Sequence, residues 1–143
     1  MLEIVSVAKA AKLSFPDEFA AAPLDELCKV CNGVGSASMP EKLRKALTKA
    51  YACAEATAAI HDWRYEHSDG LPENQKKADE EFLQNGLKEV RYRHEGGGLR
   101  GWLHRLWDER KIVAAYRLLE IGGEAAWCIA FRNNILKSKK ENV

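Results

Sequence analysis

The chain has 143 residues, which is enough to bury a substantial core and fits a single domain over residues 1–143. Its 22 lysine and arginine residues nearly balance 21 aspartate and glutamate residues, so no nucleic-acid partner is expected. The N-terminal segment has the pattern of neither a signal peptide nor a membrane span, and four cysteines are too few for a disulfide-dense scaffold. We therefore expect a cytoplasmic protein with reduced thiols.

The first distinctive segment is CKVCNGVGS, residues 28–36, in which a Cys-x-x-Cys pair precedes a glycine-rich run. Cys28 and Cys31 are half of a zinc site, because structural zinc accepts four thiolates. Cys53 and Cys128 could complete the set, although each stands alone on an apolar helical stretch. The glycines instead predict a loop whose backbone can wrap an ion or an anion. Both interpretations are open at this point.

Residues 39–67 are predicted to form one long helix. Ser38 and Glu41 have capping-box spacing, and Pro40 occupies a position that a first turn tolerates. Seven residues recur at steps of three or four and so share one face: Leu43, Leu47, Tyr51, Ala54, Ala58, His61 and Tyr65. His61 is therefore predicted to point inward or into a cleft.

A second helix is predicted over residues 73–92, after a turn at residues 68–72, as the antiparallel partner of the first. Asp79 lies on its apolar stripe, where a carboxylate needs a partner. His61 is nine residues before Gly70 and Asp79 is nine residues after it. Equal steps of about 1.5 Å place the two at the same height, so we predict that they meet across the pair.

The C-terminal third begins after the glycines at residues 96–98, with an amphipathic helix predicted over 99–120 and a last apolar stretch over 124–136. No segment alternates as a strand would, so the predicted fold is all-α. Four apolar residues of the first of these segments share one face close to basic residues: Trp102, Leu103, Leu106 and Trp107. Such a face suits an anionic membrane surface, and the alternative is that it packs in the core.

The residues with the clearest chemical pattern are His61-Asp62-x-x-Tyr65 followed by Asp79. An imidazole becomes an effective base when a buried carboxylate fixes its tautomer, and His61 with Asp79 fits that pairing. Asp62 is rotated by about 100° around the helix, so it can ligate a metal beside the base. Tyr65, one turn from His61, can donate its hydroxyl to Asp79.

These features resemble the phospholipase A2 superfamily, particularly its disulfide-poor viral and phage-associated branch. The matching segments are the loop Asn32-Gly33-Val34-Gly35, the motif HDWRY at residues 61–65, and Asp79 on the following helix. The resemblance covers about residues 28–92 and leaves 99–136 as a helical extension.

The resemblance implies a calcium-dependent hydrolase that cleaves the sn-2 ester of phospholipids. It implies that His61 activates a water, that Asp79 orients His61 and that Tyr65 bonds Asp79, while the Gly33 amide stabilises the oxyanion. The implied Ca²⁺ ligands are the Asp62 carboxylate and the main-chain carbonyls of Cys31, Gly33 and Gly35. The implied partner is a phospholipid or membrane surface, and the branch adds a phage or virion structural partner and a virion-associated location.

Two other functions are compatible with the same residues. One is a non-catalytic all-α scaffold or interaction protein of a phage or virion that keeps the helix pair. The other is a module stabilised by zinc on the four cysteines.

Overall fold

A computed structural model describes residues 2–31 and 41–141, and every regular element in these ranges is helical. The elements are α1 (Leu2–Ala10), α2 (Asp17–Ala21), α3 (Leu24–Val30), α4 (Glu41–Ala50), the 3-10 helix η1 (Ala52–Ala54), α5 (Glu55–Glu66), α6 (Pro72–Arg93) and α7 (Gly98–Glu141). The predicted all-α class is confirmed for this part of the chain. Among the described helices, none combines the length and the apolarity that crossing a membrane requires.

The prediction of a single helix over residues 39–67 is wrong, because the α-helix is interrupted between α4 and α5. The cause lies on α6, where the fully buried carboxylate of Glu89 accepts hydrogen bonds from the backbone amides of Ala56 at 3.2 Å and Thr57 at 2.8 Å. These amides belong to the first turn of α5 and have no acceptor within their own helix. Glu89 therefore caps α5 from outside, and Arg93 compensates its charge at 2.7 Å.

Helices α5 and α6 pack side by side in opposite directions. Thr57 near the start of α5 bonds Glu89 near the end of α6, while Tyr65 near the end of α5 bonds Asp79 on the first half of α6. The order of these contacts places the inward face of α5 against α6 along most of its length. This packing positions the predicted site.

The remaining faces of α5 carry the larger core. One cluster joins α1, the segment after it and α3 to α5, with these buried members: Ala8, Leu13, Phe19, Leu27, Ala56, Ala59, Ile60 and Trp63. Asn85 ties the same N-terminal segment to α6, since its amide accepts from the Ser14 N–H at 2.8 Å and donates to the Ser14 carbonyl at 2.6 Å. Helix α5 is therefore held between the N-terminal helices and α6.

Helix α7 runs without interruption for 44 residues, where the sequence predicted separate segments over 99–120 and 124–136. It lies antiparallel to α6, since Arg91 pairs with Glu109 at 2.9 Å and the Ser68 hydroxyl near the start of α6 bonds the Trp127 carbonyl at 3.0 Å. The continuous helix brings Gly123, in the C-terminal third of the chain, into contact with the predicted site.

Candidate active site

The centre of the site is a histidine–aspartate contact between α5 and α6. His61 Nε2 lies 2.9 Å from Asp79 Oδ1, and the two residues are only 9% and 3% exposed. Because an ionised carboxylate only accepts hydrogen bonds, Nε2 carries the hydrogen and donates it. The tautomer so fixed leaves a lone pair on Nδ1, the arrangement that a general base requires. The structure thus brings together the two residues that lie nine positions on either side of Gly70.

Both oxygens of Asp79 have further hydrogen bonds from neutral donors. The Tyr65 hydroxyl donates to Oδ1 at 2.8 Å, and the Gln75 amide donates to Oδ2 at 3.2 Å. Burial and the Asp79 carboxylate raise the pKa of Tyr65, so its hydroxyl remains a donor. Gln75 was not predicted from the sequence, although its position four residues before Asp79 places it on the same helix face.

Aromatic rings hold the imidazole on two sides. The ring of Tyr65 lies against His61 with 4.3 Å between centroids, and Phe82 meets it edge-on at 5.2 Å. Trp127 of α7 packs edge-on against Tyr65 at 5.0 Å. These contacts limit the rotamers of His61 and Tyr65 and keep the surroundings of the pair apolar.

Gly123 of α7 forms a wall of the site that the sequence analysis missed. A Cβ at this position would lie 2.5 Å from the Tyr65 hydroxyl, 2.9 Å from Gln75 Nε2 and 3.4 Å from Asp79 Oδ2. Only glycine lets the α7 backbone approach the Asp79 network this closely. The available signal was a glycine pair inside an apolar helical segment, which often marks close packing.

Asp62 faces a different side of α5, next to the end of α3. It borders a cavity of about 40 Å³, the size of one or two water molecules or an ion, and the cavity lining also includes Cys31, Tyr51 and Glu55. Burial raises the pKa of Asp62 to about 8. A cation in this cavity would offset the cost of burying the charge, and the role of Asp62 as a calcium ligand stays a prediction.

Cys31 is the predicted calcium ligand nearest to this cavity. Its thiol donates to the Ala59 carbonyl at 3.4 Å, and burial, followed by the charge of Asp62, raises its pKa to about 12. The thiol therefore stays protonated, which leaves the main-chain carbonyl of Cys31 as its available oxygen donor. The chain position from which the glycine loop continues is thus beside Asp62.

The other predicted loop residues, Gly33 and Gly35, lie outside the described residues, as do Ser38 and Pro40 of the predicted capping box. Their roles stay predictions. In the described ranges, no group of three or more histidine, cysteine, aspartate or glutamate side chains could hold a metal. The four cysteines, all described and all free thiols, therefore do not assemble a zinc tetrad.

The predicted membrane face at the start of α7 is mostly exposed to solvent. Trp102, Leu103 and Trp107 are exposed, so core packing is wrong for these three, whereas Leu106 is half-buried. This end of α7 lies beside the end of α6. It is about 22 Å from Asp79, as judged from some fifteen helical residues at about 1.5 Å each.

A second histidine–aspartate contact occurs at that end of α6. His94 Nε2 lies 2.9 Å from Asp108 Oδ2, and the Lys111 ammonium donates to the other oxygen of Asp108 at 2.7 Å. The sequence analysis did not identify this pair. A cavity of about 560 Å³ is lined by His94 among other residues, and another of about 590 Å³ lies along Trp63 and Arg64, but His61 borders neither.

Comparison with known proteins identifies no relative, since no protein-family model, curated protein or solved structure matches the chain. The geometry of the site is therefore the basis for assigning a function.

Proposed function

We propose that the protein is a calcium-dependent hydrolase of the phospholipase A2 type, which cleaves the sn-2 ester of phospholipids. The observation that supports this proposal is the set of hydrogen bonds on Asp79. His61 donates to it at 2.9 Å and Tyr65 at 2.8 Å, on a helix pair whose motif resembles that family. A carboxylate that accepts from one imidazole nitrogen fixes the tautomer and stabilises the imidazolium that forms during general-base catalysis.

In the proposed reaction, His61 acts through Nδ1. It removes a proton from a water molecule as the water oxygen bonds to the ester carbonyl carbon. The bond from that carbon to the glycerol oxygen then breaks, and the imidazolium returns its proton to the departing oxygen. Asp79 stabilises the imidazolium between the two transfers, and general acid–base catalysis of this kind contributes on the order of 10² to 10⁴ in rate.

The proposed calcium ligands are the Asp62 carboxylate and the main-chain carbonyls of Cys31, Gly33 and Gly35, because Ca²⁺ prefers several oxygen ligands. Bound there, the ion would supply positive charge for the oxyanion. The Gly33 amide is proposed to donate a hydrogen bond to the same oxygen. The desolvated Asp62 next to the end of α3 supports this assignment.

The experiment is fatty-acid release from mixed micelles of detergent and phospholipid that carries a labelled sn-2 chain. The wild type should release label with Ca²⁺ and not with a chelator. His61→Gln should lower the rate by at least about 100-fold while the far-UV circular dichroism stays unchanged. If the wild type binds no Ca²⁺ and hydrolyses no ester across several lipid classes, the hydrolase proposal fails.

The competing proposal is a non-catalytic helical scaffold that belongs to a phage or virion. It is favoured by the 9% exposure of His61 and by the position of that residue away from both large cavities. In this case the Asp79 network is a satisfied core contact. His61→Gln would then lower the melting temperature of a protein that has no esterase activity to lose.

A further inference from the structure

Helix α7 has apolar side chains on two opposite faces. Its inner face buries Ile112 and Trp127 against α5 and α6. Its outer face exposes seven large apolar residues: Leu99, Leu103, Trp107, Leu118, Ile121, Ile129 and Leu136. Ile121 is 84% exposed, the highest exposure of any large apolar residue described. Because a helix on the surface of a globular domain normally presents polar residues to water, this outer face is expected to contact a partner.

Six of these seven residues follow one regular spacing along the helix. Steps of four, three and four residues generate the outer stripe: Leu103, Trp107, Arg110, Ala114, Leu118, Ile121, Ala125, Ile129, Arg132 and Leu136. An eleven-residue repeat gives 3.67 residues per turn, close to the value of a straight α-helix, so the outer stripe stays on one side. Its 33 steps extend over about 50 Å. The apolar residues of the outer stripe thus lie on one side of the helix, with Arg110 and Arg132 among them.

Positive charge is concentrated on the solvent side of the same helix. Among the described side chains of α7, the exposed charged residues are Arg100, Arg110, Arg117, Arg132, Lys137 and Lys139 against Glu120 and Glu124, and Lys137 pairs with Glu66 of α5. The complete chain has a net charge of only +1, so this side is far more basic than the average surface. A partner for it should combine an apolar layer with negative charge.

A second copy of α7 fits this pattern poorly. The charged residues of the outer stripe are Arg110 and Arg132, which lie eleven residues on either side of Ile121. In an antiparallel pair centred on Ile121, Arg110 of one copy would face Arg132 of the other, and a parallel pair would place each arginine opposite itself. Both arrangements oppose like charges within an apolar contact.

We propose that the outer stripe of α7 docks on an anionic lipid surface, with the helix axis parallel to the plane of the lipid. Leucine and isoleucine side chains would enter the boundary between headgroups and acyl chains. Arg110 and Arg132 would extend their guanidinium groups to lipid phosphates while their stems stay against apolar neighbours. Trp107 has the amphipathic ring that is enriched at such interfaces.

An anionic lipid surface would be the partner of the proposed hydrolase, and this role for the outer stripe rests on that proposed function. Binding itself needs no chemistry at His61. Gly123 touches the Asp79 network from the inner face of the same helix. Docking of the outer stripe would therefore hold the site about one helix diameter, roughly 10 Å, from the lipid.

The test is co-sedimentation of the full chain with vesicles of phosphatidylcholine alone or mixed with phosphatidylglycerol. We expect binding to the anionic vesicles only, and weaker binding at high salt. The double variants Leu118→Gln/Ile121→Gln and Arg110→Gln/Arg132→Gln should each weaken it at least about tenfold. Matched controls on exposed positions elsewhere, Leu71→Gln and Lys76→Gln, should leave it unchanged.

Absence of binding to anionic vesicles, or binding that neither double variant weakens, would overturn the proposal. So would a concentration-dependent dimer in sedimentation equilibrium that Leu118→Gln/Ile121→Gln dissolves, because a second copy would then cover the outer stripe. Hydrolysis is scored separately in mixed micelles. A wild type that binds anionic vesicles and hydrolyses no ester keeps the docking surface and removes the hydrolase.

Discussion

Two histidine–aspartate pairs with the same separation lie at opposite ends of α6. Both His61–Asp79 and His94–Asp108 have 2.9 Å between a ring nitrogen and a carboxylate oxygen. Their side chains differ in exposure, 10% and 5% for the first pair against 21% and 14% for the second. Distance alone therefore does not distinguish a candidate base from a surface ion pair.

The aspartates differ most in their other partners. Among the described residues, Asp79 receives only neutral donors besides its histidine, whereas Asp108 receives the Lys111 ammonium at 2.7 Å. Burial alone would raise the pKa of Asp108, but the hydrogen bonds from Lys111 and then His94 outweigh it and lower the pKa. Lysine already compensates that carboxylate, so less of its charge is available to its histidine. The His61 pair is therefore the better candidate for a general base.

The same substitution at the two aspartates gives the largest expected contrast. Asp79→Asn removes the carboxylate that fixes the His61 tautomer, and we expect the micelle hydrolysis rate to fall by about 10² to 10⁴. Asp108→Asn should change that rate less than twofold. Initial rates with the labelled sn-2 substrate measure both. Equal losses in the two variants would show that the Asp79 network has no special role in the chemistry.

The sequence alone was sufficient to predict the contacts that follow directly from helical geometry. His61 and Asp79 are equally far from the turn at Gly70, and Tyr65 is one turn from His61, so their proximity follows from rise and rotation per residue. Gln75 was within reach of the same reasoning, because it is one turn before Asp79 on one helix. These are local relations, or relations across a single short turn.

The features that were missed depend on how separate helices align. The break before α5 exists because Glu89 offers its carboxylate to that helix from α6. Gly123 reaches the site, and Asp108 reaches His94, only in the observed register between α6 and α7. Hydrophobic periodicity shows which face of a helix is inward but not how far the helix slides along its neighbour. Such contacts require the packed structure.

Substitutions at two adjacent glycines of α7 should have a smaller effect, and they test the contact between α7 and the Asp79 network. Gly123→Ala would place a methyl group 2.5 Å from the Tyr65 hydroxyl, so Tyr65 or α7 must move. We expect a loss of about 1 to 3 kcal/mol in the free energy of unfolding and a hydrolysis rate about ten- to a hundredfold lower. Urea denaturation and the micelle assay measure the two effects.

Gly122→Ala is the matched control, because nothing lies within 4 Å of the position that its Cβ would occupy. It should stabilise the helix by about 0.5 to 1 kcal/mol, since glycine is less favourable than alanine inside a helix, and leave the rate unchanged. A Gly123→Ala protein that behaves like Gly122→Ala would mean that α7 does not press on the Asp79 network in solution.

The pH dependence of stability should have opposite signs for Asp62 on α5 and for Asp108 on α7. Burial raises the pKa of Asp62 from 3.8 to about 8, so the folded protein holds this proton more tightly than the unfolded chain. Its contribution is fully present below about pH 4 and is lost as the pH rises through about 8, by at most about 1.4 kcal/mol per pH unit. The lowered pKa of Asp108 acts in the other direction, because its contribution is present at neutral pH and disappears in acid.

Urea denaturation of the wild type, Asp62→Asn and Asp108→Asn between pH 5 and 9, with a chelator present, separates the two aspartates. Asp62→Asn should remove most of the decline in stability towards pH 9, whereas Asp108→Asn should keep it. Added Ca²⁺ should flatten the wild-type profile at high pH, because a cation beside an ionised Asp62 replaces the proton, and it should not affect Asp62→Asn. If Ca²⁺ leaves the wild-type profile unchanged while Asp62→Asn still flattens it, Asp62 has a raised pKa but binds no metal, and the calcium assignment fails.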